Sequence, residues 1–219
     1  MPKLTIFDCA IKHSSEACAD RLASSLNFDY QLIRPPKEGL NNFKESTTTD
    51  LIIIFGSASN VEDRLKWQEE LAEICYRQLK KGTPVLGLCF GHQLMADRFG
   101  GEVFKAEREF KGIRKVTITH SGFGLKKSEE FNLFVAHSFQ VNPDRLGELK
   151  LLATSEDSPV DGLYHPELPY LGFQGHPEGS RLFYDRDISP DALLDEEDIN
   201  LGLKDGLSLM ASVLKSYLK

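Results

Sequence analysis

Cys89 stands between two glycines in Gly87-Leu88-Cys89-Phe90-Gly91-His92-Gln93, directly after the apolar residues Val85, Leu86 and Leu88. A strand that ends in a tight turn and enters a helix holds one side chain at the carboxyl edge of a sheet. Flanking glycines permit the close approach and unusual backbone angles of such a turn. The pattern predicts a partly exposed sulfur above a helix amino terminus, whose dipole and free N–H groups favour thiolate over thiol. Gly87-x-Cys89-x-Gly91 is therefore a nucleophile elbow with sulfur in place of a serine oxygen. The bland alternative is a buried, inert cysteine after a strand, and Cys9, Cys18 and Cys75 read that way.

A cysteine nucleophile needs a base, and the base needs an orienting group. Six histidines compete: His13, His92, His120, His137, His165 and His176. His176 stands out in Leu171-Gly172-Phe173-Gln174-Gly175-His176-Pro177-Glu178, just after a strand candidate, where a parallel sheet collects its reacting groups. Glu178 follows two positions on, with Pro177 restricting the backbone between them. A carboxylate there holds the imidazole in the tautomer that accepts the thiol proton. The alternative reading of His-Pro-Glu is a helix start with proline in its first turn.

The elements that must position these groups alternate in the first half. LTIFD (residues 4–8), residues 30–33 and LIIIF (residues 51–55) read as strands, the last apolar on both faces as in a covered central parallel strand. Residues 13–26 read as a helix with Ser14 or Ser15 as cap, residues 62–80 as a second, and residues 92–99 as a short third closed by Gly100-Gly101. Residues 85–88 supply the strand before Cys89. Such alternation predicts an α/β fold, a parallel sheet with helices on both faces. In the second half, residues 102–105, 113–119, 133–136, 151–154 and 170–173 read as short strands with few helices between them, hence antiparallel strands added to one side of the sheet. Residues 192–218 read as helical, with Asp195–Asp198 a solvated helix start. No repeat or linker divides residues 1–219, which read as one domain.

Composition excludes several classes. A net charge of −7 argues against a nucleic-acid surface. No apolar run approaches the roughly 20 residues that span a bilayer, so no membrane segment is expected. The amino terminus runs straight into strand-like sequence, with no signal-peptide pattern. Four cysteines without a CxxC pair or an HExxH predict neither a disulfide framework nor a metal site, and the expected setting is reducing and cytoplasmic. Thiolate chemistry needs no cofactor.

The two motifs together, GLCFGHQ at residues 87–93 and QGHPE at residues 174–178, resemble those of the class I glutamine amidotransferases. The resemblance covers nearly the whole chain. It implies a flavodoxin-like three-layer sandwich and a Cys89-His176-Glu178 triad that attacks the side-chain amide of glutamine or a γ-glutamyl compound. It also implies an oxyanion hole from the backbone N–H groups of Phe90 and Ser57. Ser57 lies in the turn Phe55-Gly56-Ser57-Ala58-Ser59, which departs from the Gly-Gly-Pro of many members. Gln93 matches a position that contacts the α-amino-acid end of the substrate, and Ala136-His137-Ser138-Phe139 matches a strand edge that holds the same end. Glu107-Arg108-Glu109-Phe110 is similar to the loop after the nucleophile helix in the GMP-synthase-type branch.

Synthase-type members send ammonia to a second domain or subunit. No such domain and no GxxxxGK[ST] loop is present, so the chain reads as a free-standing hydrolase or as one half of a synthase pair. A homo-oligomer is also open. Many synthase-linked members carry Phe where Gly175 stands, and QGHPE resembles the stand-alone branch that includes the γ-glutamyl peptidases of plants. The expectation is that Gly175 removes bulk near the nucleophile and admits a leaving group larger than ammonia. Two other classes fit less well. A catalytically idle binding module has no physical need for all three triad residues. A cysteine α/β-hydrolase usually places its acid before the histidine, whereas Glu178 comes after His176.

Overall fold

The structure, a computed structural model, describes residues 1–44 and 48–218. Among the described residues nine strands form one mixed sheet: β1 (Lys3–Phe7), β2 (Asp29–Ile33), β3 (Leu51–Ile54), β4 (Val85–Leu88), β5 (Val103–Ile118), β6 (Glu130–Val141), β7 (Lys150–Thr154), β8 (Gly162–Tyr164) and β9 (Tyr170–Phe173). Their spatial order is β2-β1-β3-β4-β9-β8-β7-β5-β6. The pairs β1–β2, β1–β3, β3–β4 and β4–β9 are parallel. From β9 outward the pairing is antiparallel, through β8, β7, β5 and β6. This is the α/β, flavodoxin-like three-layer arrangement expected, with added antiparallel strands on one side.

Side chains alternate across each strand, so the central sheet feeds two cores. Leu51 and Ile53 pack with α1 (Glu16–Leu26) and α6 (Glu196–Tyr217) through Cys18, Leu22, Leu209 and Val213. Ile52 and Ile54 pack on the other face with α3 (Lys66–Lys80) and α4 (Phe90–Arg98) through Leu71, Cys75, Phe90 and Leu94. Burial of β1, β3, β4 and β9 on both faces explains their unbroken apolar reading. The acidic start of α6 is a cap: the Asp195 carboxylate accepts from the Asp198 N–H at 2.9 Å. No helix of the described residues is long and apolar enough to cross a membrane.

Local differences from the sequence reading have identifiable causes. The two strands expected at residues 102–105 and 113–119 are one, β5, which runs 16 residues with a register shift between Lys105 and Phe110. The charged Glu107-Arg108-Glu109 stretch, expected as a loop, is exposed hairpin and therefore lacks an apolar pattern. The helix expected from residue 62 begins at Lys66, after a 3-10 turn at Val61–Asp63 and a left-handed Arg64 with φ 47°. The helix expected from residue 13 begins at Glu16. Its Ser15 cap makes no side-chain cap bond, and Ser14 Oγ instead accepts from the Glu16 N–H at 3.2 Å. One-turn α2 (Pro35–Glu38) and three-residue β8 carry too few residues for a periodic signal.

Candidate active site

The β4–β9 register sets the site. Leu88 of β4 pairs with Phe173 of β9, so Cys89 and residues 174–178 leave neighbouring strands at the same sheet edge. The Cys89 N–H donates to the Phe173 carbonyl at 2.8 Å. Cys89 has φ 50° and ψ −102°, a strained backbone held by the strand before it and α4 after it. Gly87 and Gly91 make that turn possible: a β-carbon on Gly87 would lie 2.6 Å from the Gly91 carbonyl oxygen, and one on Gly91 would collide with Ile54 of β3. The sulfur is not partly exposed as expected; Cys89 is only 4% exposed. Protein groups cover it, since the thiol donates to the Ala136 carbonyl oxygen at 3.8 Å and the Gln174 amide Nε2 lies 3.9 Å from Sγ.

His176 is fixed at three points. Its backbone N–H donates to Phe134 of β6 at 2.7 Å, its ring packs on Phe183 with centroids 4.5 Å apart, and Nδ1 lies 2.8 Å from Glu178 Oε1. A carboxylate only accepts, so Nδ1 carries the proton and Nε2 is left for the reacting partner. Burial alone would push the imidazolium proton off. The negative charges of Cys89 and Glu178 outweigh burial and hold His176 well above the ordinary histidine range. Gly56 lies between ring and thiol: a β-carbon there would sit 2.6 Å from His176 Cε1 and 3.6 Å from Cys89 Cβ. The two side chains are therefore no farther apart, at those atoms, than the sum of these distances. The arrangement can move a proton between sulfur and ring while Glu178 keeps the ring oriented.

These groups line a cavity of about 490 Å³ that also takes in Ser57, Ala136, His137 and Ser138. Phe90 opens α4, where the first backbone N–H groups have no intrahelical acceptor. The Ser57 hydroxyl accepts from the Ser59 N–H at 3.0 Å, closing the turn that presents the Ser57 backbone.

His137 is buried, with Nδ1 3.0 Å from the Phe139 carbonyl oxygen and Nε2 3.3 Å from Arg114 Nη1. A carbonyl only accepts, so Nδ1–H is the donor and neutral Nε2 accepts from the guanidinium. Burial and the Arg114 charge push its pKa down to about 3. Arg114 pairs with Asp161 at 2.9 Å beneath it, and Phe110 stacks on the His137 ring with centroids 5.0 Å apart.

Three expectations change. Gln93 does not line the cavity; it is buried, and Nε2 donates to the Phe139 carbonyl oxygen at 2.7 Å and to Gln174 Oε1 at 3.1 Å. Phe139 likewise faces the core and offers its carbonyl to Gln93 and His137. Gly175 opens no space near the sulfur. A β-carbon there would point at Leu133 and Phe134 of β6, at 3.1 and 3.2 Å.

The space lies elsewhere, in residues the motifs did not mark. Lys12 and His13 reach the cavity from the β1–α1 loop, and Arg186, Asp187 and Asp191 from the segment after α5 (Arg181–Phe183). The loop is tied by buried Asp8, which accepts from the Ala10 and Ser15 N–H groups and from Ser14 Oγ at 2.9–3.1 Å. Cys18 also lines the cavity. Burial and the Glu178 charge push its thiol up to about 11, so it stays protonated. Among the described residues, no group of three or more His, Cys, Asp or Glu side chains is placed to hold a metal.

Comparison with known proteins agrees with this architecture. The glutamine-hydrolyzing GMP synthase subunit of Methanocaldococcus jannaschii is 36% identical over 111 residues, 50% of this chain and 58% of that protein. The chain thus aligns with little more than half of that relative's length. The protein of the same name from Thermoplasma acidophilum is 32% identical over 143 residues, 64% of this chain and 68% of that protein. Among solved structures, a glutamine amidotransferase from Thermotoga maritima superposes with a TM-score of 0.76 at 16% identity, covering 100% of this chain and 98% of that one. Residues 6–194 match the glutamine amidotransferase class-I family, and the chain belongs to that family.

Proposed function

We propose that the protein hydrolyses the side-chain amide of glutamine, or of a γ-glutamyl conjugate, through a γ-glutamyl thioester on Cys89. The observation that carries the reading is the meeting of Cys89 and a Glu178-held His176 at the wall of one cavity. In the first step the thiolate attacks the γ-carbonyl carbon, and the carbonyl electrons move onto oxygen. The backbone N–H groups of Phe90 and Ser57 receive that oxyanion, each such donor being worth about 3–4 kcal/mol in related acyl transfers. The C–N bond breaks as His176 gives its proton to the departing nitrogen, a contribution of roughly a hundred- to ten-thousand-fold. Water, deprotonated by His176, then attacks the thioester, releasing the γ-carboxylate and returning the thiol.

The cavity bears on the leaving group. Its volume of about 490 Å³ lies within the range of sites for drug-sized ligands, roughly 300–1,000 Å³. Its lining includes the acids Glu109, Asp187 and Asp191; Lys111 is shared between the first and last, and Arg186 pairs with the second. Lys12 also lines the cavity and has no ion pair among the described residues. That charge suits the free carboxylate of an amino acid or peptide joined through its amine to the γ-carboxyl. The second reading is a glutaminase component that hands ammonia to a synthase. It is favoured by the names of the relatives, with glutamine-hydrolyzing GMP synthase among them, and by the likeness in fold to a PurLQS structure from Thermotoga maritima, TM-score 0.73.

Turnover by the purified chain separates these readings. Glutamine and γ-glutamyl dipeptides are supplied in parallel, and ammonia and freed amino acid are measured. Faster release from dipeptides supports the conjugate hydrolase. Turnover of glutamine alone, rising on addition of a synthase, supports the ammonia-donor reading. Undiminished turnover by Cys89→Ala defeats both.

A further inference from the structure

We propose that Gln174 is a positioning residue for the nucleophile. Its side-chain N–H donates to the Cys89 sulfur, and Gln93 fixes the direction of that donation. The inference rests on the reading of Cys89 as nucleophile, and it concerns the state of the sulfur before any substrate arrives.

Hydrogen-bond direction is set from the β6 backbone. The Phe139 carbonyl can only accept, so the group of Gln93 that faces it at 2.7 Å is the amide nitrogen. That nitrogen has a second hydrogen, and its other neighbour at 3.1 Å is the Gln174 side chain. The facing atom of Gln174 must therefore be its carbonyl oxygen. A planar amide with its oxygen so held has its NH2 on the opposite side, where Cys89 Sγ lies 3.9 Å away. Polarity thus runs one way from the β6 backbone through Gln93 and Gln174 to the sulfur. An isolated glutamine beside a sulfur would be free to flip. This one is not, because Gln174 is wholly buried and its backbone N–H is tied to the Asp161 carbonyl at 2.9 Å.

The sulfur needs such a donor. The Ala136 carbonyl, 3.8 Å from Sγ on β6, can accept from a thiol but repels a thiolate. A fixed N–H has the opposite preference, since a hydrogen bond to the charged form favours it. Gln174 therefore supports the thiolate against Ala136 and holds one Cys89 rotamer near His176. The chain also gives Gln93 a role that needs no contact with substrate.

The test reads thiol reactivity, not turnover. The rate of Cys89 alkylation by iodoacetamide is followed against pH by peptide mass, in wild type, Gln174→Met, Gln93→Met and the double variant. Gln174→Met keeps length and loses the donor. Its alkylation profile moves to higher pH, with the rate at pH 7 down about tenfold. Gln93→Met moves the profile the same way by less, and the double variant matches Gln174→Met because both act through one bond. A profile unmoved by Gln174→Met, or additive effects of the two changes, overturns the proposal. A readout on the wild-type protein covers the case of variants that do not fold. The Gln174 side-chain amide resonances titrate with the same midpoint as Cys89 alkylation, and amide resonances indifferent to that titration overturn the proposal. Loss of glutamine turnover in wild type, with these shifts intact, would defeat only the reading of function.

Discussion

Replacing Gly56 by alanine adds one carbon against the His176 ring. That carbon would lie 2.6 Å from His176 Cε1, against an ordinary carbon–carbon contact of about 3.5–4.0 Å, so something must move by about 1 Å. The His176 ring has little freedom, with Glu178 2.8 Å from Nδ1 and the Phe183 ring packed against it at 4.5 Å between centroids. The Gly56 backbone can yield instead, but that displaces Ser57, the second proposed oxyanion donor. Either way a group proposed to act on the amide is misplaced by about 1 Å, which costs about a hundredfold in rate. The stability cost is that of overpacking, about 1–3 kcal/mol, and a folded protein remains. Steady-state kcat/KM for glutamine and the thermal midpoint are measured together, with Gly122→Ala as control. A β-carbon at Gly122 would meet only His120, at an ordinary 3.8 Å. A Gly56→Ala enzyme with wild-type kcat/KM would refute the placement of His176 and the Ser57 turn around the reacting carbon.

Removing the sulfur charge by Cys89→Ser lowers the pKa of His176, because burial then opposes Glu178 alone; an unchanged midpoint in an NMR titration of that ring contradicts the pairing. His92 and His137 make the fold acid-sensitive. Burial pushes them down to about 4 and about 3, while an unfolded histidine takes its proton near 6.5. The unfolded state therefore holds more protons as pH falls below about 6.5, and each residue costs about 2 kcal/mol of stability by pH 5. His176 works in the other sense: its contribution is complete below about 6.5 and is lost as pH rises through its raised value, so between pH 7 and pH 5 it offsets only a small part of the acid loss. Urea unfolding at pH 7 and pH 5 reads the sum, and equal stabilities at the two refute it. Arg114→Met leaves Asp161 buried without its partner and costs about 3–5 kcal/mol in the same assay; a loss under about 1 kcal/mol would show the pair to be dispensable.

The parallel half of the fold was legible because β1, β3, β4 and β9 are buried on both faces and their apolar runs are unbroken. The β5–β6 hairpin was not, since its outer part carries Glu107, Arg108 and Glu109 in solvent and hydropathy reads it as loop. The residues that meet around the cavity were legible where a motif concentrated them: Cys89 between glycines, and His176 and Glu178 two apart. Burial of the sulfur was not, because the covering groups Ala136 and Gln174 come from other strands and no local pattern predicts their approach. Gln93 lies within the first motif, but its surroundings are not legible there. A polar residue one turn into a helix reads as exposed, and only the β6 register reveals that its amide meets the Phe139 carbonyl. Lys12 and His13 carried no signal, since they sit in an ordinary loop whose course depends on Asp8.

The most direct measurement traps the covalent intermediate. The protein is mixed with isotope-labelled glutamine or a labelled γ-glutamyl dipeptide, quenched in acid within the first turnover, digested and mapped by mass. A Cys89 nucleophile predicts a γ-glutamyl increment on the peptide that contains Cys89, absent in Cys89→Ala. Label on another residue, or sustained turnover with Cys89 unmodified, would contradict it.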